Sequence, residues 1–276
     1  MIAWRDGEWI GDGEGLPSSD RGLTLGDGLF ETLLATEGAL AHADLHLERL
    51  EGSANTLGLP FPWDRPGLVA AAEETLARNG LRSGRAAVRI TLTAGTSARG
   101  LARDPAAAAR LLITASRAPE AGTPVRLATV SVQRNPASPA SRHKTLSYID
   151  PVMALREAQD LGADEAVMLN TLGRPASAAA ANLILRIDGQ LFTPPLAEGV
   201  LAGTTRARLL AAFPDMKEHG LTLSEARAAD AVVLTNALRG VRPAVAWDDL
   251  ELPGSAELKT RLDAGLSLAE DHASLG

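Results

Sequence analysis

The cationic residues of this chain are lopsided, with three lysines (Lys144, Lys217 and Lys259) against 24 arginines. Arginine can replace lysine as surface charge. It cannot replace a lysine that attacks a carbonyl, because guanidinium stays protonated while a desolvated amine can lose its proton and form a Schiff base. Lys144 is the strongest candidate nucleophile. It lies in Arg142-His143-Lys144-Thr145-Leu146-Ser147-Tyr148, where two cationic neighbours pointing inward would lower its pKa. Tyr148, four residues on, is the single tyrosine of the chain. Lys217 and Lys259 sit in ordinary amphipathic surroundings, and the bland alternative for Lys144 is an exposed surface lysine.

Other chemistries are closed off by composition. The chain has no cysteine, so disulfides, thiolate metal sites and cysteine nucleophiles are excluded. Among the five histidines only His42 and His46 stand four apart, without the glutamate or third ligand of a zinc motif. A net charge of −7 argues against a nucleic-acid surface. The first residues carry no basic region followed by an apolar core, and no apolar run approaches ~18 residues, so a cytoplasmic protein without membrane contact is expected. With 276 residues, 45% hydrophobic and 3% aromatic, the chain can bury an aliphatic core in one large or two modest domains.

The elements that must position Lys144 follow from patterning. A strand over 124–133 and an irregular stretch over 134–142 deliver it. A helix over 149–161 turns Val152, Leu155 and Ala158 inward, and strands over 165–169, 183–187 and 190–193 alternate with turns at Leu172-Gly173 and Asp188-Gly189, as in a meander. Thr204 and Thr205 open a helix over 203–213, where unpaired amides and the positive dipole end can hold a phosphate; a threonine cap without ligand is the alternative. A buried strand over 231–235 ends in Asn236-Ala237, and an amphipathic helix covers 255–268.

The first half opens with a hairpin over 2–10 around Asp6-Gly7, then a strand over 22–35 broken at Gly26-Asp27-Gly28, with Asp27 read as shaping that turn. Asp44 caps a helix to about Leu57 that buries Leu47, Leu50 and Ala54 and leaves Arg49 near its start. A second helix over 65–78 has Asp64 as cap, Pro66 in its first turn and Asn79-Gly80 as stop. Strands over 86–93 and 109–115 flank a polar loop holding Arg99-Gly100-Leu101. The Pro- and Gly-bearing connector sets the division: a smaller domain over 1–117, a linker over 118–122, and a larger domain over 123–276 that carries Lys144.

Taken together, several blocks resemble the class IV (fold type IV) pyridoxal-phosphate enzymes, the family of branched-chain and D-amino-acid aminotransferases and aminodeoxychorismate lyase. They are Asp20-Arg21-Gly22-Leu23, Gly26-Asp27-Gly28-Leu29-Phe30-Glu31-Thr32, His46-Leu47-Glu48-Arg49-Leu50, the Lys144 segment, Gly162-Ala163-Asp164-Glu165-Ala166, Asn182-Leu183, Gly199-Val200-Leu201-Ala202-Gly203-Thr204-Thr205-Arg206 and Thr235-Asn236-Ala237-Leu238-Arg239-Gly240. The resemblance implies a homodimeric two-domain α+β (α/β) protein, with pyridoxal 5'-phosphate between the domains and a small amino substrate bearing a carboxylate.

By the same resemblance Lys144 forms the Schiff base with the cofactor and moves protons, and Arg49 grips the phosphate with the Thr204-Thr205 helix start. Asn236 and Ala237 form a second phosphate contact, Ala237 through its amide. Tyr148 bonds the ring hydroxyl, and Arg99 and Arg239 are candidates for the substrate carboxylate. One position departs from the family: five residues before Asn182 the glutamate that protonates the pyridine nitrogen is replaced by Ser177. A hydroxyl leaves the ring a weaker electron sink, which favours elimination over transamination. The resemblance is therefore closest to aminodeoxychorismate lyase, which releases pyruvate and 4-aminobenzoate; an aminotransferase and a noncatalytic cofactor-binding protein are the rivals.

Overall fold

The hairpin expected around Asp6-Gly7 is present: β1 (Ala3–Arg5) pairs with β2 (Glu8–Ile10), and both turn residues have positive φ. The computed structural model describes residues 1–11 and 13–274. It is an α+β chain of two units, one comprising Met1–Pro119 with His143–Ser147, the other Glu120–Arg142 with the residues from Tyr148 on.

In the first unit, β1 and β2 are followed by α1 (Arg21–Leu25), β3 (Gly28–Thr36), β4 (Ala39–Leu40), α2 (Ala43–Leu57), α3 (Arg65–Arg78), β5 (Arg85–Thr93) and β6 (Arg110–Arg117). Among the described residues the strands form a six-stranded antiparallel sheet in the order β2-β1-β6-β5-β3-β4. Leu29 and Leu33 of β3, Val88, Ile90 and Leu92 of β5, and Leu111 and Ile113 of β6 share a core with Leu47, Leu50 and Ala54 of α2 and Leu68 and Leu76 of α3. Because strand side chains alternate, Phe30, Thr32, Arg89 and Thr91 point to the sheet's other face.

Three expectations change in this unit. Residues 22–25, read as the first part of a broken strand, form α1 instead: the Asp20 carboxylate accepts from the Gly22 amide at 2.7 Å, and Gly26 at φ 66° stops the helix. α2 starts after His42, with Asp44 in its first turn rather than at the cap, so Arg49 lies mid-helix and not near the start. By contrast α3 is capped by Asp64 and has Pro in its first turn, as expected.

The third change concerns the lysine segment, which the sequence reading assigned to the second domain. Residues His143–Ser147 belong to the first unit. The Phe30 amide donates to the Lys144 carbonyl at 2.8 Å, the Leu146 amide donates to the Gly28 carbonyl at 2.9 Å, and Leu29 bridges Thr145. β4 pairs only with the end of β3, at Ala35 and Thr36, so the edge of β3 at Gly28–Phe30 carries backbone groups that need a partner, and the 143–147 segment supplies it. Gly28 must be glycine here, since a Cβ would lie 2.3 Å from the Leu92 carbonyl.

The second unit runs β7 (Val125–Arg134), α4 (Pro139–Arg142), α5 (Ile149–Asp160), β8 (Glu165–Asn170), β9 (Pro175–Ala178), β10 (Asn182–Ile187), β11 (Gln190–Thr193), a 3-10 turn (Leu196–Glu198), α6 (Thr204–Ala212), β12 (Lys217–Glu218), α7 (Leu223–Ala226), β13 (Ala231–Asn236), β14 (Gly240–Trp247), β15 (Leu250–Glu251) and α8 (Ser255–Ser274). The sheet order is β12-β11-β10-β13-β14-β7-β8-β9, with β15 on β14. It is mixed rather than a meander: β7 runs parallel to both β14 and β8, the latter across α5. β9 was not foreseen, because alanine carries little strand preference; its pairing to β8 decides its state. On α5 the inward residues are Pro151, Ala154 and Ala158, while Val152 is exposed, since small side chains let the helix approach Ala128, Ala166 and Met168.

Candidate active site

In the first unit the Lys144 ammonium nitrogen lies 4.3 Å from the centroid of the Phe30 ring, and the Arg89 guanidinium carbon lies 3.8 Å from the same centroid. Pairing of residue 144 with β3 thus sets the amine on the sheet face opposite the helices. The cations expected beside it are differently placed. Arg142 is exposed, and His143 Nδ1 lies 3.0 Å from the Ser53 hydroxyl. Arg89 is the cation that shares a ring with Lys144. Sequence reading missed it, although an arginine between the buried Val88 and Ile90 of a strand must face outward.

Arg49 reaches from α2 to β3. Its Nε and Nη2 donate to the two oxygens of Glu31, each at 2.7 Å, and His46 Nδ1 lies 2.7 Å from the same carboxylate. Burial alone would push the Glu31 pKa up, but hydrogen bonds from His46 and Arg49 outweigh it and lower it to about 2. An ionised carboxylate only accepts, so His46 Nδ1 carries the proton. Phe30 and Glu31 are consecutive, so one strand seats both Lys144 and Arg49. Arg99 is exposed in the loop after β5. Asp27, read as shaping a turn, also binds Arg21 and Arg103.

In the second unit Ser177 lies on β9 opposite Met168, with its hydroxyl enclosed and without a hydrogen-bond partner. Thr235, opposite Asn182 on β13, has a second such hydroxyl. α6 begins after Gly203 with no side-chain cap, and Thr204 and Thr205 are buried. The Asn182 amide holds this start by donating to the Leu201 carbonyl at 2.9 Å, and its Oδ1 would lie 2.0 Å from any Cβ on Gly203. Arg206, in the first turn, donates to the Pro194 carbonyl and pairs with Glu218. The helix start is therefore held in place by Asn182 and Arg206, without a side-chain cap on its first turn.

The remaining sequence-derived residues take structural places as well. Asn236 closes the β13-β14 turn: its Oδ1 accepts from the Arg239 amide at 2.8 Å and its Nδ2 donates to the Ala180 carbonyl at 3.2 Å. That leaves Ala237 and the partly buried Arg239 in the same turn, and makes Thr235 the residue there with an unpaired hydroxyl. Tyr148 precedes α5 and is half-buried. Arg134 lies within electrostatic range of it; burial pushes the Arg134 pKa down, and Tyr148 and Asp150 oppose that. Burial likewise raises the Glu165 carboxyl, against hydrogen bonds from the Ala166 and Ala179 amides and the nearby Arg242 and Arg239.

The profile of the amino-transferase class IV family matches residues 28–247. This chain belongs to that family. As a class IV enzyme it is 31% identical over 237 residues, covering 81% of its own length and 80% of the relative's, to a Methanocaldococcus jannaschii protein provisionally named a branched-chain-amino-acid aminotransferase. It is 30% identical over 236 residues, 76% of each chain, to the bifunctional aminodeoxychorismate lyase / D-amino acid transaminase of Mycobacterium tuberculosis. Among solved structures, a provisionally named 4-amino-4-deoxychorismate lyase from Legionella pneumophila superposes with a TM-score of 0.87 at 30% identity, covering 94% of this chain and 97% of that one. The class IV fold is the α+β, fold type IV arrangement. Members of the family are pyridoxal-phosphate-dependent, and this enzyme is one of them. No helix among the described residues is long and apolar enough to cross a membrane.

Proposed function

We propose that this class IV enzyme is a 4-amino-4-deoxychorismate lyase that forms 4-aminobenzoate and pyruvate, acting as a homodimer. The observation that carries the reading is Ser177. The resemblance calls for a carboxylate at that position, and the chain offers an enclosed, unpaired hydroxyl instead.

The residues present fit pyridoxal phosphate. An enclosed hydroxyl without a partner is costly, and a ring nitrogen accepting from Ser177 would satisfy it. In the second unit the start of α6 has no side-chain cap and carries a positive dipole end suited to a phosphate; in the first, the Arg49 guanidinium is a charged group already oriented by Glu31. When bound, the cofactor supplies an electron-withdrawing ring for the electron pair left by the departing substrate proton.

Lys144 is then the residue to which the cofactor attaches and the base that takes the ring proton of the substrate. The bond to the enolpyruvyl oxygen breaks, the freed enolpyruvate gains a proton to become pyruvate, and the ring becomes aromatic. Elimination draws less on the ring's capacity to hold charge than transamination does, so a hydroxyl at residue 177 suffices. Tyr148 would bond the cofactor's ring hydroxyl, Thr235 and the Ala237 amide would add to the phosphate contacts, and Arg99, Arg239 and Arg89 are the candidate cations for substrate carboxylates.

Aminotransfer is the second reading, favoured by the name of the M. jannaschii relative, and the two activities coexist in the name of the M. tuberculosis one. The deciding experiment compares pyruvate release from 4-amino-4-deoxychorismate with single-turnover aminotransfer from D-alanine, L-leucine and L-glutamate. Fast aminotransfer with no pyruvate release would sink the lyase assignment. Borohydride reduction and peptide mapping test the attachment site: label on Lys144 is expected, and label on Lys217 or Lys259 refutes it.

A further inference from the structure

We propose that Arg21 is a positioning residue: it fixes the loop over 97–102 and thereby sets how Arg99 meets the substrate carboxylate. The inference rests on the reading of Arg99 as a substrate contact, and all its parts lie in the first unit.

Arg21 is only 4% exposed, and the two terminal nitrogens of its guanidinium donate to this loop. Nη1 donates to the Ser97 hydroxyl at 3.0 Å, the Gly100 carbonyl at 3.1 Å and the Ala102 carbonyl at 3.2 Å, and Nη2 donates to the Leu101 carbonyl at 2.8 Å. These four contacts bracket Arg99, which stays exposed between them. The loop has no helix or strand of its own to hold it. A planar guanidinium can reach three successive carbonyls and a hydroxyl at once, whereas an ammonium on a single carbon cannot.

The anchor of Arg21 is as well defined as its grip. Nε donates to Asp27 at 2.8 Å, and Asp27 is shared with Arg103, whose Nε and Nη2 lie 3.0 and 2.6 Å from its two oxygens. Arg103 in turn donates to the Leu57 and Gly58 carbonyls at the end of α2. The Asp27 backbone is tied on both sides, its amide to the Arg21 carbonyl and its carbonyl to the Ala94 amide. The next residue, Gly28, accepts from Leu146 in the lysine segment. Hydrogen bonds joined through the Asp27-Gly28 backbone therefore lead from the Leu146 amide, two residues from Lys144, to the Ser97 hydroxyl on one side of Arg99 and the Gly100, Leu101 and Ala102 carbonyls on the other. Carboxylate recognition by an exposed arginine needs such a reference, because displacement of a binding group by about 1 Å is enough to lose much of its effect.

The test uses the cofactor-loaded enzyme and three variants, Arg21→Lys, Ser97→Ala and Arg99→Ala. Tryptic cleavage after Arg99 is timed by mass spectrometry, and KM and kcat are measured for whichever activity the wild type shows. Arg21→Lys is expected to speed cleavage at Arg99 by about tenfold or more and to raise KM toward that of Arg99→Ala, with kcat within about twofold of wild type. Ser97→Ala, which keeps the Arg21–Asp27 pair, should shift both in the same direction by less. A folded Arg21→Lys enzyme with wild-type cleavage and KM overturns the proposal; if that variant does not fold, Ser97→Ala decides by the same two readouts. An Arg99→Ala enzyme with unchanged KM, beside fast cleavage in Arg21→Lys, overturns the substrate role of Arg99 and leaves only the mechanical clamp.

Discussion

Arg49 of α2 and Glu31 of β3 form a two-pronged ion pair, with Nε and Nη2 each 2.7 Å from a carboxylate oxygen and Glu31 almost fully buried. The pair fixes the direction of a guanidinium on a helix by a group on a strand, so orientation and charge can be separated by mutation. Arg49→Ala should weaken pyridoxal-phosphate affinity by about 1.5 to 3 kcal/mol, the value of a charge-assisted hydrogen bond. Glu31→Gln keeps the guanidinium and should lower affinity by less while destabilising the fold by about 3 kcal/mol, as expected when one member of a buried pair is removed. Cofactor titration of the stripped protein and urea unfolding measure the two effects separately.

The same carboxylate predicts an acid limb. Its folded pKa of about 2 lies below the ordinary value of 4.5, so its contribution is complete above 4.5 and is lost as pH falls through 2. A shift of that size corresponds to about 3 kcal/mol. The urea midpoint of the wild type should decline over this window more steeply than that of Glu31→Gln; parallel declines would show that Glu31 contributes nothing.

Ser177 separates stability from chemistry. Its hydroxyl has no partner in the protein, so Ser177→Ala should leave the melting temperature of the cofactor-free protein unchanged or slightly higher, while pyruvate release falls. Ser177→Glu should raise single-turnover aminotransfer, provided the surrounding alanines accept the longer chain. Loss of both activities in an otherwise folded Ser177→Glu enzyme would show that the pocket, not the ring's electronics, sets the limit.

The α6 start gives a steric prediction. A Cβ at residue 203 would lie 2.0 Å from Asn182 Oδ1, so Gly203→Ala should displace the helix start and weaken phosphate binding, measurable with pyridoxal phosphate against pyridoxal. Because Asn182→Ala also removes the hold on the Leu201 carbonyl, the double variant is scored against Asn182→Ala alone: Gly203→Ala should then cost less than it does in the wild type, and an equal cost would mean that the clash is not with Asn182.

Much of this fold was legible because local chemistry decided it. The α3 cap at Asp64, the Asp6-Gly7 hairpin and the strands around Val88 and Ile113 follow from patterns that a few consecutive residues set. Asp20 as cap of α1 was hidden, because the five residues it starts read equally well as the opening of β3. β9 was hidden for a different reason: Ala176 to Ala178 carry no preference, and only pairing to β8 makes them a strand. At the site, the scarcity of lysine pointed to Lys144 and the family resemblance to Arg49, whereas Arg89 and Thr235 are singled out by what surrounds them. Thr235 stands one residue before the Asn236-Ala237 pair that the resemblance indicated, and Asn236 is occupied in closing its own turn.

Pairing of residues 143–147 with the edge of β3 has a consequence for synthesis. The first unit takes in chain up to Pro119 and then a five-residue stretch beginning 24 residues later. A ribosome that has released residue 119 has delivered the helices and the hairpin but not the segment that covers Gly28–Phe30. Until residue 147 emerges, that length of strand edge is an open template for any extended peptide. A fragment ending at residue 119 should therefore be captured by a synthetic peptide of sequence 143–147, and by its own copies when the peptide is absent. Lys144, the proposed attachment residue, is thus carried by the last piece added to the first unit.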